Sequence, residues 1–182
     1  MKTLPFSCTF TNDYYPYLNQ IIDRIIQPRL WFSGSNFADY PDIGDWSQRV
    51  YTELRREIKR AFIAVISRRV VGVIIYQRDK IEQDILEFKH LSIDEMLAGR
   101  RIASFLWRQA EIEGVKEFQP KLIRCDVKIY RLAVRAFLEA NHYQLVNTAD
   151  LYSLKSGLDA VYQKEVKLIW RRTLGEQKII IP

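Results

Sequence analysis

The chain has 182 residues and a formal net charge of +6, from 28 Lys and Arg against 22 Asp and Glu. Its 48% hydrophobic and 13% aromatic content suits one well-packed domain and excludes disordered, collagenous and low-complexity classes. Two cysteines, Cys8 and Cys125, and two histidines, His90 and His142, are too few for a disulfide framework, a four-cysteine zinc site or a histidine-rich metal centre, so no metal site is expected. The opening residues lack the apolar segment of a signal peptide, and no apolar run spans a membrane, so a soluble, reduced, cytoplasmic protein is expected. The positive balance favours anionic partners: nucleic acid, an acidic protein, or a phosphate-bearing cofactor.

Taken in chain order, residues 4–10 read as a short strand, and residues 14–26 carry a helical stripe at Tyr14, Leu18, Ile21, Ile22 and Ile25 that Pro28 ends. Residues 31–45 mix glycine, proline and serine with aromatics and read as a loop. A helix over 46–59 follows, with Val50, Leu54 and Ile58 on one face. Residues 61–67 and 70–77 then read as a strand pair turning at Arg68-Arg69, and 85–93 as the next strand. A helix is predicted from Gly99 to Glu113, with Gly114 at its C-cap. Residues 122–127 form another strand. The helix 130–140 is expected to turn Leu132, Ala133, Ala136 and Phe137 inward and to end at Asn141 with positive φ. Strands at 143–148 and 162–171 complete the domain, and 175–182 form a tail with a small strand at 179–181. Cys125, on an apolar strand, reads as a buried thiol.

The order predicts a mixed α/β (α+β) fold: a mostly antiparallel sheet flanked by helices, with one strand–helix–strand crossover between residues 85 and 127. The informative stretch is LSIDEMLAGRRIASFLW, residues 91–107. A strand runs into a helix start whose free N–H groups at Gly99 to Ile102 and positive dipole end suit a phosphate. Gly99, Ala103 and Ser104 permit close approach, while Arg100 and Arg101 add charge where it opposes the dipole unless an anion arrives.

These residues resemble motif A of the GNAT superfamily, the acyl-CoA-dependent N-acyltransferases. Leu91 and Ile93 match its strand end; Glu95 stands at the usual proline, Ala98 at Gln/Arg, Arg101 at the central glycine and Ala103 at the final Gly/Ala. A second block, RLAVRAFLEANHY, matches the aromatics of Asn-x-x-Ala-x-x-Phe-Tyr-x-x-x-Gly-Phe at Phe137 and Tyr143. There Arg131 replaces the asparagine, Val134 the alanine, Leu138 the tyrosine and His142 the glycine. The resemblance covers nearly the whole chain in element order and implies a single GNAT-like domain over residues 1–182.

It also implies acetyl-CoA or another acyl-CoA as cofactor. Its pantetheine arm would lie between the strands 85–93 and 122–127 and pair near Leu91 to Ile93. Its pyrophosphate would sit over Ala98 to Ser104, engaging Gly99, Arg100, Arg101, Ile102, Ala103 and Ser104. The implied reaction moves an acyl group to an amine. A base must take the amine's proton, with Glu87 the first candidate, then His90, then Asp84. A backbone N–H near Ile93 would stabilise the carbonyl oxygen. Leu138 removes the usual phenol, for which Tyr130 and Tyr162 are substitutes. The aromatics Trp31, Phe32, Phe37, Tyr40 and Trp46 border the acceptor side or pack the loop. Alternatives are a catalytically silent binding or regulatory protein of the same fold, and a nucleic-acid binder using the basic face. The amine acceptor, an anionic protein or RNA partner, and homodimerisation stay open.

Overall fold

The computed structural model describes residues 8–26, 31–32, 42–151 and 157–166. Expectations for residues 1–7, Pro28, Phe37, Tyr40, residues 167–171 and the tail 175–182 lie outside the described residues. The elements are β1 (Thr9–Thr11), α1 (Leu18–Ile26), β2 (Trp31–Phe32), α2 (Ile43–Arg55), β3 (Lys59–Ile66), β4 (Arg69–Arg78), β5 (Ile85–Asp94), α3 (Ile102–Phe118), β6 (Leu122–Lys128), α4 (Leu132–Ala140), β7 (Gln144–Ala149) and β8 (Asp159–Glu165). One sheet runs β1-β3-β4-β5-β6-β8-β7, with β2 paired to β5. Every pair is antiparallel except β5–β6, which α3 connects as a parallel crossover. The mixed, mostly antiparallel sheet flanked by helices is as the sequence implies.

Branched residues alternate along the central strands and so divide the core in two. Ala61, Ile63, Val73 and Ile75 pack under α1 and α2 with Ile21, Ile25, Val50 and Leu54. Phe62, Ala64, Ile74 and Tyr76 face the other way, with Leu86, Phe88, Leu106, Trp107 and Ala110. Two bulges break the alternation. Val71 has no partner between the pairs Ala64↔Gly72 and Val65↔Val70. Lys89 has none between Tyr76↔Phe88 and Ile75↔His90. Two glycines set the position of α3. A Cβ on Gly72 would lie 2.8 Å from Leu106 Cδ1, and one on Gly114 would lie 2.5 Å from Leu86 Cδ2. Both therefore permit close helix–sheet contact.

Several boundaries depart from the sequence reading for local reasons. The β3–β4 turn centres on Ser67-Arg68, both at positive φ (49° and 64°), the twist a two-residue hairpin requires, and Arg69 already pairs with Ile66. The second helix starts and ends earlier than 46–59: Glu57 turns left-handed at φ 57°, and Ile58 is exposed instead of inward. Gly114 does not cap α3; the helix continues to Phe118, and Gln119 takes the left-handed conformation. In α4 the inward residues are Leu138, Phe137 and Val134, whereas Leu132 is 69% exposed. Asn141 ends α4 through its side chain, which donates to the Phe137 carbonyl at 2.7 Å, at a φ of −97°. The positive φ belongs to His142, at 66°.

Candidate active site

The site is built where β5 and β6 part. Their parallel ladder has four pairs, Ile85↔Leu122 to Phe88↔Cys125, yet β5 runs on to Asp94 and β6 to Lys128. Beyond Phe88 the β6-side edge of β5 is therefore without that partner. Ile93 pairs with both Gly72 of β4 and Phe32 of β2, so β2 lies on the edge that faces the gap. Trp31–Phe32 thus takes Ile93 and Asp94, and the edge between the end of the β6 ladder and β2 is residues 89–92. The expected loop over 31–45 contributes a strand here, and it takes one end of the backbone stretch, Leu91 to Ile93, assigned to a pantetheine arm.

At the end of β5, Asp94 caps a single 3-10 turn, Glu95–Leu97: its Oδ1 accepts from Met96 N–H at 3.1 Å. Its Oδ2 accepts from Arg69 at 2.9 Å. The chain then passes Gly99 at φ 76° and Arg101 at φ 62°, so α3 begins at Ile102, three residues later than the sequence reading placed it. Its first bond runs from Phe105 N–H to the Arg101 carbonyl, 3.0 Å. The N–H groups of Ile102, Ala103 and Ser104 consequently have no acceptor within the helix, and Arg101 provides no side-chain cap. The space beside Gly99 is open, Arg101 and Ser104 are exposed, and Ile102 anchors the turn in the core. Arg100 is half-buried and holds contacts of its own. Leu91 and Ile93 pack on the α3 side of the sheet.

The proposed bases lie on the opposite face. By strict alternation Glu87 and His90 would point to opposite sides of β5. The bulge at Lys89 brings both to the α2 side. Glu87 Oε2 accepts from Gln77 Nε2 at 2.9 Å and its Oε1 from Lys89 Nζ at 2.7 Å. Gln77 in turn meets Lys59, which pairs with Glu53 of α2 at 2.8 Å. Lys89 is a member of the site that sequence reasoning passed over; a half-buried lysine at a bulge has no local sequence signal. His90 is buried, with Nε2 2.9 Å from Ser92 Oγ and its ring 5.9 Å from that of Trp46. Burial lowers its pKa to about 4, so at neutral pH the imidazole is uncharged. Asp84 stands apart, at the other end of β5, in an exposed ion pair with Lys121 at 2.5 Å.

The substitute phenols divide similarly. Tyr162 donates to Glu139 at 2.8 Å and accepts from Arg135 at 3.1 Å, and burial raises its pKa, so its proton is already committed. Tyr130 is 55% exposed on the approach to α4. Leu138, at the usual tyrosine, is buried in the α3-side core. Cys125 is a buried thiol as expected, its pKa pushed well up by burial. Among the described residues no group of three His, Cys, Asp or Glu side chains stands ready to hold a metal, and no helix is long and apolar enough to cross a membrane.

No family model matches the sequence, and no curated protein does. Solved structures do match the fold. An acetyltransferase of the GNAT family from Staphylococcus aureus Mu50 superposes with a TM-score of 0.65 at 16% identity, covering 88% of this chain and 99% of that one. The ribosomal-protein-S18-alanine N-acetyltransferase from Escherichia coli gives 0.67 at 12% identity, over 88% and 94%. An IAA acetyltransferase from Bacillus cereus gives 0.62 at 13% identity, over 87% and 99%. The splayed parallel pair, the crossover helix and the flanking antiparallel strands of this chain thus match the GNAT fold of these structures, at low sequence identity.

Proposed function

We propose that the chain transfers an acyl group, acetyl in the simplest case, from acyl-CoA to an amine. One observation carries the reading: the β5–β6 ladder stops after Phe88 beside a helix start whose three leading N–H groups have no internal acceptor. A diphosphate is chemically suited to such an end, and the open flank of Gly99 and the exposed Arg101 side chain fit it further. Gly99 and Ile102 to Ser104 would hold the phosphates with Arg100 and Arg101, and the edge 89–92 would hold the pantetheine amides, next to Leu91. When bound, an acyl-CoA supplies a thioester carbonyl open to attack by an amine.

The chain's own residues supply the rest. Glu87 accepts the amine's proton, held in place by Gln77 and Lys89. A backbone N–H of the edge 89–92 faces the carbonyl oxygen as negative charge develops. His90, uncharged, lines the same face of β5 without competing for the proton. Mass spectrometry of the purified protein for bound CoA, and thermal melts with acetyl-CoA, test the reading. Protection by acetyl-CoA that Arg101→Glu weakens is the expected result. Unchanged melting with acetyl-CoA, longer acyl-CoAs and free CoA would refute it.

The arrangement of the proton-handling groups favours a second reading, a binding or regulatory protein of the same fold. Both Glu87 oxygens are engaged, Leu138 has no phenol, and Tyr162 is tied to Arg135 and Glu139. Acyl-CoA binding without acyl transfer to any amine in a broad panel would select it. Enzyme-dependent transfer would reject it.

A further inference from the structure

At the other end of the sheet lies a surface cleft of about 390 Å³, at the lower end of the small-molecule pocket range. It opens between the chain following β1, the start of β3, the end of β4 and the last turns of α3. Glu113 and Glu117 stand eleven to fifteen residues along α3 from Ile102, about 17–22 Å at the helical rise. The cleft is therefore separate from the β5–β6 gap, and its chemistry is of the opposite sign.

Four carboxylates line it, Asp13, Glu57, Glu113 and Glu117, against two cations, Arg60 and Lys116, an excess of two negative charges on a chain whose net charge is +6. Arg60 is held by Glu117 at 2.6 Å and Glu57 at 3.4 Å, and Lys116 by Glu113 at 3.3 Å. The Asp13 carboxylate has no partner among the described residues. Nothing in the wall answers the remaining charge.

A second, independent feature marks the floor. Tyr76 is 1% exposed, its ring set edge-on between Phe88 and Phe118, 6.1 and 6.5 Å away. It lines the cleft, yet its hydroxyl makes no hydrogen bond to any described residue. Every other buried tyrosine among the described residues has one: Tyr14 donates to the Leu54 and Lys59 carbonyls, Tyr143 to Glu111, Tyr162 to Glu139. The hydroxyl is not among the enclosed polar atoms that lack a partner, so it opens onto the cleft, where water or a ligand oxygen can accept from it. Burial holds the phenol well above its ordinary pKa, which keeps it a donor.

We propose that this cleft binds a small organic ammonium that also carries a hydroxyl or carbonyl oxygen, the oxygen accepting from Tyr76 and the ammonium facing the carboxylates, Asp13 first among them. An anion is repelled by the rim, an oxygen-free amine leaves Tyr76 to water, and a neutral amide leaves the charge unanswered. The site is independent of acyl-CoA binding, so the two proposals fail separately.

Titration calorimetry of the full chain with glycinamide and with ethanolamine tests it, with propylamine and acetamide as probes lacking the oxygen or the charge. Saturable millimolar or tighter binding of glycinamide or ethanolamine is expected, with each incomplete probe weaker by about fivefold or more, the scale of one lost hydrogen bond or ion pair. Tyr76→Phe removes only the hydroxyl and should weaken binding by about fivefold or more. Asp13→Asn should do the same, and raised salt should weaken the wild type. A melting temperature of Tyr76→Phe equal to or above that of the wild type is expected, because the lost oxygen had no protein partner. No saturable binding by the wild type would mean a solvent-filled cleft and overturn the proposal. So would equal binding by Tyr76→Phe, equal binding of propylamine, or a clearly lowered melting temperature for Tyr76→Phe.

Discussion

His90 offers a sharp test of the packing beneath α2, through the dependence of stability on pH. Its imidazole is buried, its visible polar contact is Ser92 Oγ, and desolvation lowers its pKa from 6.5 to about 4. The folded state thus resists the proton that the unfolded chain takes up once pH falls below about 6.5. Stability from this group is fully present above that value and is lost as pH drops toward 4. With those two pKa values the linkage relation gives a loss of about 1 kcal/mol between pH 7 and 5.5, and about 2 kcal/mol by pH 4.5. Carboxylates with lowered pKa, such as Glu53 and Asp79, also lose stability toward the acid end of this range, equally in the wild type and in a His90 variant, so the difference between the two profiles is what reports His90. Urea unfolding of wild type and His90→Gln at pH 7, 5.5 and 4.5 measures the difference. Glutamine can still reach Ser92 but does not titrate, so its profile should be flatter by about 2 kcal/mol across the range. Parallel profiles for the two proteins would refute the buried, neutral assignment of His90.

Four further outcomes are expected. Arg101→Gly and His142→Gly, each replacing a side chain held at positive φ, should stabilise by about 1 kcal/mol apiece in denaturant titrations. Gly114→Ala should destabilise by about 1–2 kcal/mol, because overpacking against the fully buried Leu86 outweighs the gain in helix propensity. Lys128→Met strands the fully buried Asp159, 3.1 Å away, and should cost about 3–5 kcal/mol, part of which Lys128→Met with Asp159→Leu recovers. In the active-site reading, Glu87→Gln should lower acyl-transfer kcat/KM by about a hundredfold while leaving protection by acetyl-CoA intact.

How much of this was legible in the sequence depends on whether a feature leaves a trace in composition. The central strands do: AFIAVIS, VVGVIIYQ and ILEFKHLSI are runs of branched and aromatic residues, and their order around a long helix implied the parallel crossover. A bulge leaves none. Lys89 is an ordinary lysine in a strand, yet its insertion decides that Glu87 and His90 share a face. The strand β2 is two residues inside a segment with loop composition, and pairing, not propensity, makes it a strand. In α4 two apolar stripes compete within nine residues. Leu132 and Ala136 look as suitable as Val134, Phe137 and Leu138, and the tertiary ties of Arg135 to Tyr162 and to the Ile129 carbonyl select the second. Gly99 looks like the helix entry in the sequence, but two left-handed residues there, Gly99 and Arg101, delay the helix to Ile102.

Those left-handed residues bear on the functional question more directly than the motif letters do. Two positions where the sequence departs from the GNAT blocks by replacing glycine are Arg101 and His142, and both keep a backbone conformation that suits glycine, φ 62° and 66°. The turn geometry is held from elsewhere. Gly72 lets Ile102 and Leu106 settle on β4, and the Asn141 side chain closes the end of α4. Each arginine or histidine pays a strain of about 1–2 kcal/mol to sit there. The shape that presents free N–H groups at the start of α3 therefore survives the loss of its glycine. The proton-handling side chains have no comparable backbone support, since a phenol replaced by the buried Leu138 leaves no geometry that does its work. In the proposed function, anion capture and proton transfer are thus separable. A melting shift with acetyl-CoA measures the first, turnover measures the second, and neither result predicts the other.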